Sequence, residues 1–87
     1  MRKVIVVAGG VERARVLAEE LGIEGFHTSP RAIRDGGACR GLTADLILID
    51  DTAWPLDEQV HETLASTLLG SGGQMYRLER IDAEGRP

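Results

Sequence analysis

Asparagine is absent from this 87-residue chain, lysine occurs once, at Lys3, and cysteine once, at Cys39. A single cysteine excludes an internal disulfide and fits a reducing, cytoplasmic setting. A zinc site would have to gather Cys39, His27, His61 and acids from irregular spacings, so a packed thiol is expected and no metal site or cofactor. No apolar run approaches the roughly 18–20 residues that span a bilayer, so no membrane association is expected. The run in "MRKVIVVAGG" extends only from Val4 to Ala8. That is shorter than the roughly 7–15 residues of a signal-peptide core, and it reads as a first strand. The near-exclusive use of arginine for positive charge, with no asparagine, avoids AT-rich codons and points to a GC-rich bacterial or phage genome.

Bases are also missing from one long stretch. Residues 41–76 carry Asp45, Asp50, Asp51, Asp57, Glu58 and Glu62 and no lysine or arginine, whereas residues 1–40 carry seven bases against five acids. The net charge is −4 and the pI near 5.0. Nucleic-acid binders carry a basic stripe and a high pI, so direct nucleic-acid binding is disfavoured and a basic protein partner is expected.

What remains is an ordinary globular composition, 43% hydrophobic and 28% charged. The length allows one small domain over residues 1–82, with a flexible polar tail over 83–87. Val4–Ala8 is the β-branched run of a strand buried on both faces. Gly9–Gly10 follow, then Val11, Ala14, Leu17, Ala18 and Leu21 at helical spacing, with Glu12–Arg15 and Arg15–Glu19 pairs on the outer face and Gly22 as terminator. Residues 23–28 read as a second strand, and Ser29–Pro30 as the start of a short helix through Ile33 that ends near Gly36–Gly37. Leu46–Ile49 is the central strand, ending in Asp50–Asp51. A loop over 51–56 carries Trp54 and Pro55. Leu56, Val60, Leu64 and Leu68 give an amphipathic helix over 57–69, and Gly70–Gly73 stop it. Residues 74–81 form a last, edge strand that invites pairing with a second copy.

The order β-α-β-α-β-α-β with right-handed crossovers predicts an α/β, Rossmann-like or flavodoxin-like three-layer sandwich, its four-stranded parallel sheet in the order 2-1-3-4. Ligands of such sheets bind beyond the strand carboxyl ends at the switch point, which places Gly9 and Gly10 beside Asp50 and Asp51.

Two family resemblances converge on that place. "ADLILIDD" resembles the Walker B strand of P-loop NTPases of the helicase and terminase type, and "CRGLTADLILIDD" and "KVIVVAGGVERARVLAEELG" are similar to neighbouring segments of those motors. The likeness covers roughly residues 3–54 and implies Asp50 as a magnesium-linked acid and Asp51 as a water-orienting one. The sequence departs from the family in having no G-x-x-x-x-G-K-[ST] phosphate loop, so the resemblance implies a relic that binds nucleotide or magnesium rather than a working motor. "DLILIDDTAWPLDEQVHETL" is similar to the phospho-acceptor strand, turn and helix of response-regulator receiver domains. Gly9 and Gly10 stand where receivers carry their magnesium-binding acids, and the family's fifth strand and lysine are missing.

No residue is assigned a catalytic role. Ser29, Ser66 and Ser71 lack a nucleophile-elbow setting, and His27 and His61 have no nucleophile at a recognisable spacing. Asp50, Asp51, Gly9 and Gly10 are the ligand or metal candidates, with capping and tight turning as the structural alternative. Arg31, Arg34 and Arg40 are phosphate candidates. Trp54 either covers one end of the core or anchors a partner, and with Asp57, Glu58 and Glu62 it makes the expected contact face. The function these expectations favour is a small non-catalytic protein-interaction module, such as a phage accessory or host-interacting factor.

Overall fold

The computed structural model describes residues 3–79. Strand β1 (Val4–Val7) leads into helix α1 (Val11–Leu21), strand β2 (Phe26–Thr28), helix α2 (Pro30–Gly36), strand β3 (Leu46–Asp50), a 3-10 turn (Asp51–Ala53), helix α3 (Glu58–Thr67) and strand β4 (Gln74–Leu78). All strand pairs are parallel and the sheet order is β2-β1-β3-β4. This is the expected α/β architecture and strand order, with helices on both faces.

The alternation of side chains along β1 divides the core in two. Ile5 and Val7 join Ile47 and Ile49 of β3 under Ile33 of α2 and Val60 and Leu64 of α3. On the opposite face Val6 and Ala8 pack against Ala14 and Ala18 of α1, with Val4, Leu17 and Ile23 around them. Ile5, Val6, Val7, Ile47 and Ile49 are each at most 2% exposed, so β1 and β3 are buried on both faces, which is why they read as unbroken apolar runs.

The helices follow their sequence signals. Arg15 pairs with both Glu12 and Glu19 across successive turns of α1. Those exposed contacts hold the Glu12 carboxyl below its ordinary range, the Arg15 hydrogen bond being the larger cause. Ser29 caps α2 through Ala32 N–H, with Pro30 in its first turn. Asp57 caps α3 by accepting from Val60 N–H at 3.0 Å.

Some boundaries move. The second strand begins at Phe26 rather than at residue 23. Gly22 adopts φ 69°, and Ile23 N–H returns to the carbonyl of Ala18, so Ile23 packs on the α1 side of the core instead of entering the sheet. Helix α2 ends at Gly36 with Gly37 as its cap, where its end was expected, whereas α3 is shorter than 57–69 because Asp57 is its cap and Leu68–Gly72 form turns. The fourth strand ends at Leu78, with Glu79 already outside the sheet; Arg80, Ile81 and the expected tail at 83–87 lie outside the described residues.

Candidate functional site

The parallel register places Val7 beside Ile49, so the glycines after β1 and the carboxylates after β3 emerge together at the switch point. Thr52 joins the two strand ends. Its hydroxyl donates to Asp50 Oδ2 at 2.5 Å and accepts from the N–H of Gly9 at 2.9 Å, while its own N–H donates to the same carboxylate oxygen at 3.2 Å. A Cβ at position 9 would lie 2.8 Å from the Thr52 carbonyl oxygen, so the latch requires glycine there. Gly10 differs. It is the extended N-cap residue of α1, it supplies no side-chain cap, and a Cβ there would meet nothing within 4 Å.

Asp50 is 7% exposed, and Arg13 of α1 approaches its Oδ2 to 3.8 Å. Beside this pair a cleft of about 260 Å³ runs between α1 and the end of β4, lined by Arg13, Leu17, Glu20, Leu21, Leu78 and Asp50 itself. A second, more apolar cleft of about 310 Å³ lies at the opposite, amino-terminal end of the strands, around Val4, Phe26 and Leu42.

Asp51 is drawn to the other side of the sheet. Its Oδ1 accepts from Arg77 Nε at 3.0 Å, and the Arg77 guanidinium sits 5.0 Å from the centroid of the Trp54 ring. Trp54 packs against the α2–α3 side of the core with its indole N–H buried and without a hydrogen-bond partner. The tryptophan therefore covers the end of the core and is itself roofed by Arg77. Sequence reasoning missed Arg77, although it is the first base after the base-free stretch and lies on an edge strand opposite Ile49.

No protein-family model matches this sequence, and comparison with curated proteins and with solved structures found no match either. The site must be read from its own geometry.

The remaining candidates separate. Asp57 combines its capping role with a 3.3 Å contact to Arg34. The Val60 N–H, and after it Arg34, hold its carboxyl below the ordinary aspartate range against the opposing effect of desolvation. Glu58 and Glu62 are exposed on α3, as is His61 between them. Arg34 divides its guanidinium between Asp35 and Asp57, and Arg31 reaches Asp35 at 3.9 Å. Arg40 is exposed and its side chain lies along Gly37. The three arginines thus sit on and after α2, and Arg31 and Arg34 are engaged with Asp35 and Asp57. Cys39 is 4% exposed in a left-handed turn at φ 73°, and burial pushes its thiol up to about 11. Among the described residues no three His, Cys, Asp or Glu side chains come together in a way that would hold a metal ion.

Proposed function

We propose that this protein is a small non-catalytic protein-interaction module that presents the exposed acids of α3, Glu58 and Glu62, to a basic partner. The observation that carries the reading is the use of the switch-point groups. Asp50 and the Gly9 N–H, the carboxylate and the backbone donor that a magnesium–phosphate site would employ, are tied together through Thr52. The chemistry-bearing corner is built into the turn, while the acids of α3 face outward in the base-free part of the chain. Trp54 packs against the core on the α2–α3 side and lies under Arg77. A role as a phage accessory or host-interacting factor is compatible with this reading.

The test is capture from a GC-rich bacterial host, performed with the wild-type chain and with Glu58→Lys/Glu62→Lys. Partners held by the acidic face are lost in the charge-reversed protein and released at about 0.5 M salt, where the Debye length falls to a few ångströms. Partners retained by both proteins would show the assigned face to be wrong.

The competing reading is a nucleotide- or magnesium-binding relic of a P-loop domain, favoured by the cleft that opens beside Arg13 and Asp50. Calorimetry with ATP, GTP and Mg²⁺ distinguishes the two. The interaction reading expects no heat at millimolar ligand; saturable heat that disappears in Asp50→Asn would establish the relic.

A further inference from the structure

Strand β4 has β3 on one side, and among the described residues no strand pairs with its other side. Its backbone polarity is fixed by one contact, in which the N–H of Gln74 donates to the carbonyl of Asp45. Donors and acceptors alternate sides along a strand, so Gln74, Tyr76 and Leu78 direct theirs toward β3. The N–H and C=O groups of Met75 and Arg77 therefore point outward. The opposite edge of the sheet, β2, is only three residues long against five for β4.

We infer that β4 is a self-complementary edge on which a second copy of this chain pairs antiparallel, the two-fold axis passing through Tyr76. In that register each Met75 faces Arg77 of the other copy, and the two residues exchange both of their outward hydrogen bonds. Tyr76 meets its own symmetry mate as a non-hydrogen-bonded pair, the closer kind of cross-strand neighbour and a favourable one for aromatic rings. Gln74 lies opposite Leu78.

The neighbouring registers are worse. An axis through Arg77 would oppose two guanidinium groups. An axis through Met75 would move Arg77 opposite Gly73 and remove the tyrosine pair. Side-chain placement supports the central register. Arg77 is held by Asp51 and over Trp54 on the α2–α3 side, away from Tyr76, which is 49% exposed on the face that carries α1. The partner selected is thus another copy of this chain, joined as one continuous eight-stranded sheet.

Sedimentation equilibrium from about 10 µM to about 1 mM, the range suited to a small interface, measures the association directly. A concentration-dependent dimer is expected, and a monomer mass throughout would overturn the pairing. Met75→Pro removes an outward donor without touching the β3–β4 ladder, and it is expected to raise the dissociation constant by about tenfold or more. A dimer unaffected by Met75→Pro in a protein of native circular dichroism would overturn it as well. Hydrogen exchange of the wild-type chain gives a readout independent of any variant. The amides of Met75 and Arg77 gain protection as concentration rises, whereas that of Tyr76, already directed at β3, does not. Concentration-dependent protection centred on β2 would refute the assignment.

Discussion

Gly9 and Gly10 are adjacent and chemically identical, yet the fold asks opposite things of them. Gly9 is pressed against the Thr52 carbonyl, while Gly10 is extended with open space around it. Gly9→Ala must displace the Thr52 turn and loosen its hydrogen bond to Asp50, and a loss of about 1–3 kcal/mol is expected. Gly10→Ser adds a side-chain cap that α1 lacks and restricts the unfolded chain, for an expected gain of about 0.5–1 kcal/mol. Urea denaturation of the two variants checks both signs. The dipeptide was legible as a strand-to-helix turn. Which glycine is indispensable was not, because that depends on Thr52, forty-three positions away.

At the scale of elements, the helices behave as their termini dictate. Asp57 stabilises the start of α3, and its folded carboxyl titrates below the ordinary aspartate value because Val60 N–H and Arg34 favour the charged form. A depressed acid contributes stability that is complete above the unfolded pKa of about 4 and is lost as pH falls through the lower, folded pKa. Asp57→Ala is therefore expected to lower the melting temperature by several degrees near neutral pH. The difference from wild type should shrink as the pH falls below about 4 and the wild-type carboxyl is protonated. A melting series across that range measures it, and a difference independent of pH would mean that the charge of the cap contributes nothing. The cap position was within one residue of the expected helix start. The second strand was less legible, since Ile23 has the apolar character of a strand residue but serves the end of α1 once Gly22 reverses the chain.

For the whole molecule, the two faces of the sheet are unequal. The side carrying α2 and α3 holds the larger cluster, from Ile5 and Ile47 to Leu64, whereas α1 lies over β1 and β2 on the other side. Ile47→Ala, at a position with no exposure, is expected to cost about 2–5 kcal/mol, a large fraction of what a domain of this size possesses. Tyr76→Ala, at a half-exposed position on the less covered face, is expected to cost under about 1 kcal/mol in the monomer. Chemical denaturation at low protein concentration compares them; equal costs would mean that β4 is as deeply built into the core as β3. A monomeric measurement matters because Tyr76 also lies at the centre of the inferred pairing between copies.

The sequence by itself determined the class and order of this fold. Unbroken apolar runs separated by helices are characteristic of parallel strands buried on both faces, and right-handed crossovers leave few arrangements of four such strands. It also determined that Asp50 and Gly9 would meet, because both lie at carboxyl ends of neighbouring strands. What those groups do was decided by the tertiary structure alone. The switch point that a sequence marks for ligands is bound internally through Thr52, the tryptophan that invites a partner is held between the core and Arg77, and the acids divide into a helix cap and an exposed pair. A local pattern specifies which groups arrive at a place, but hydrogen bonding and burial depend on residues that only folding brings within reach.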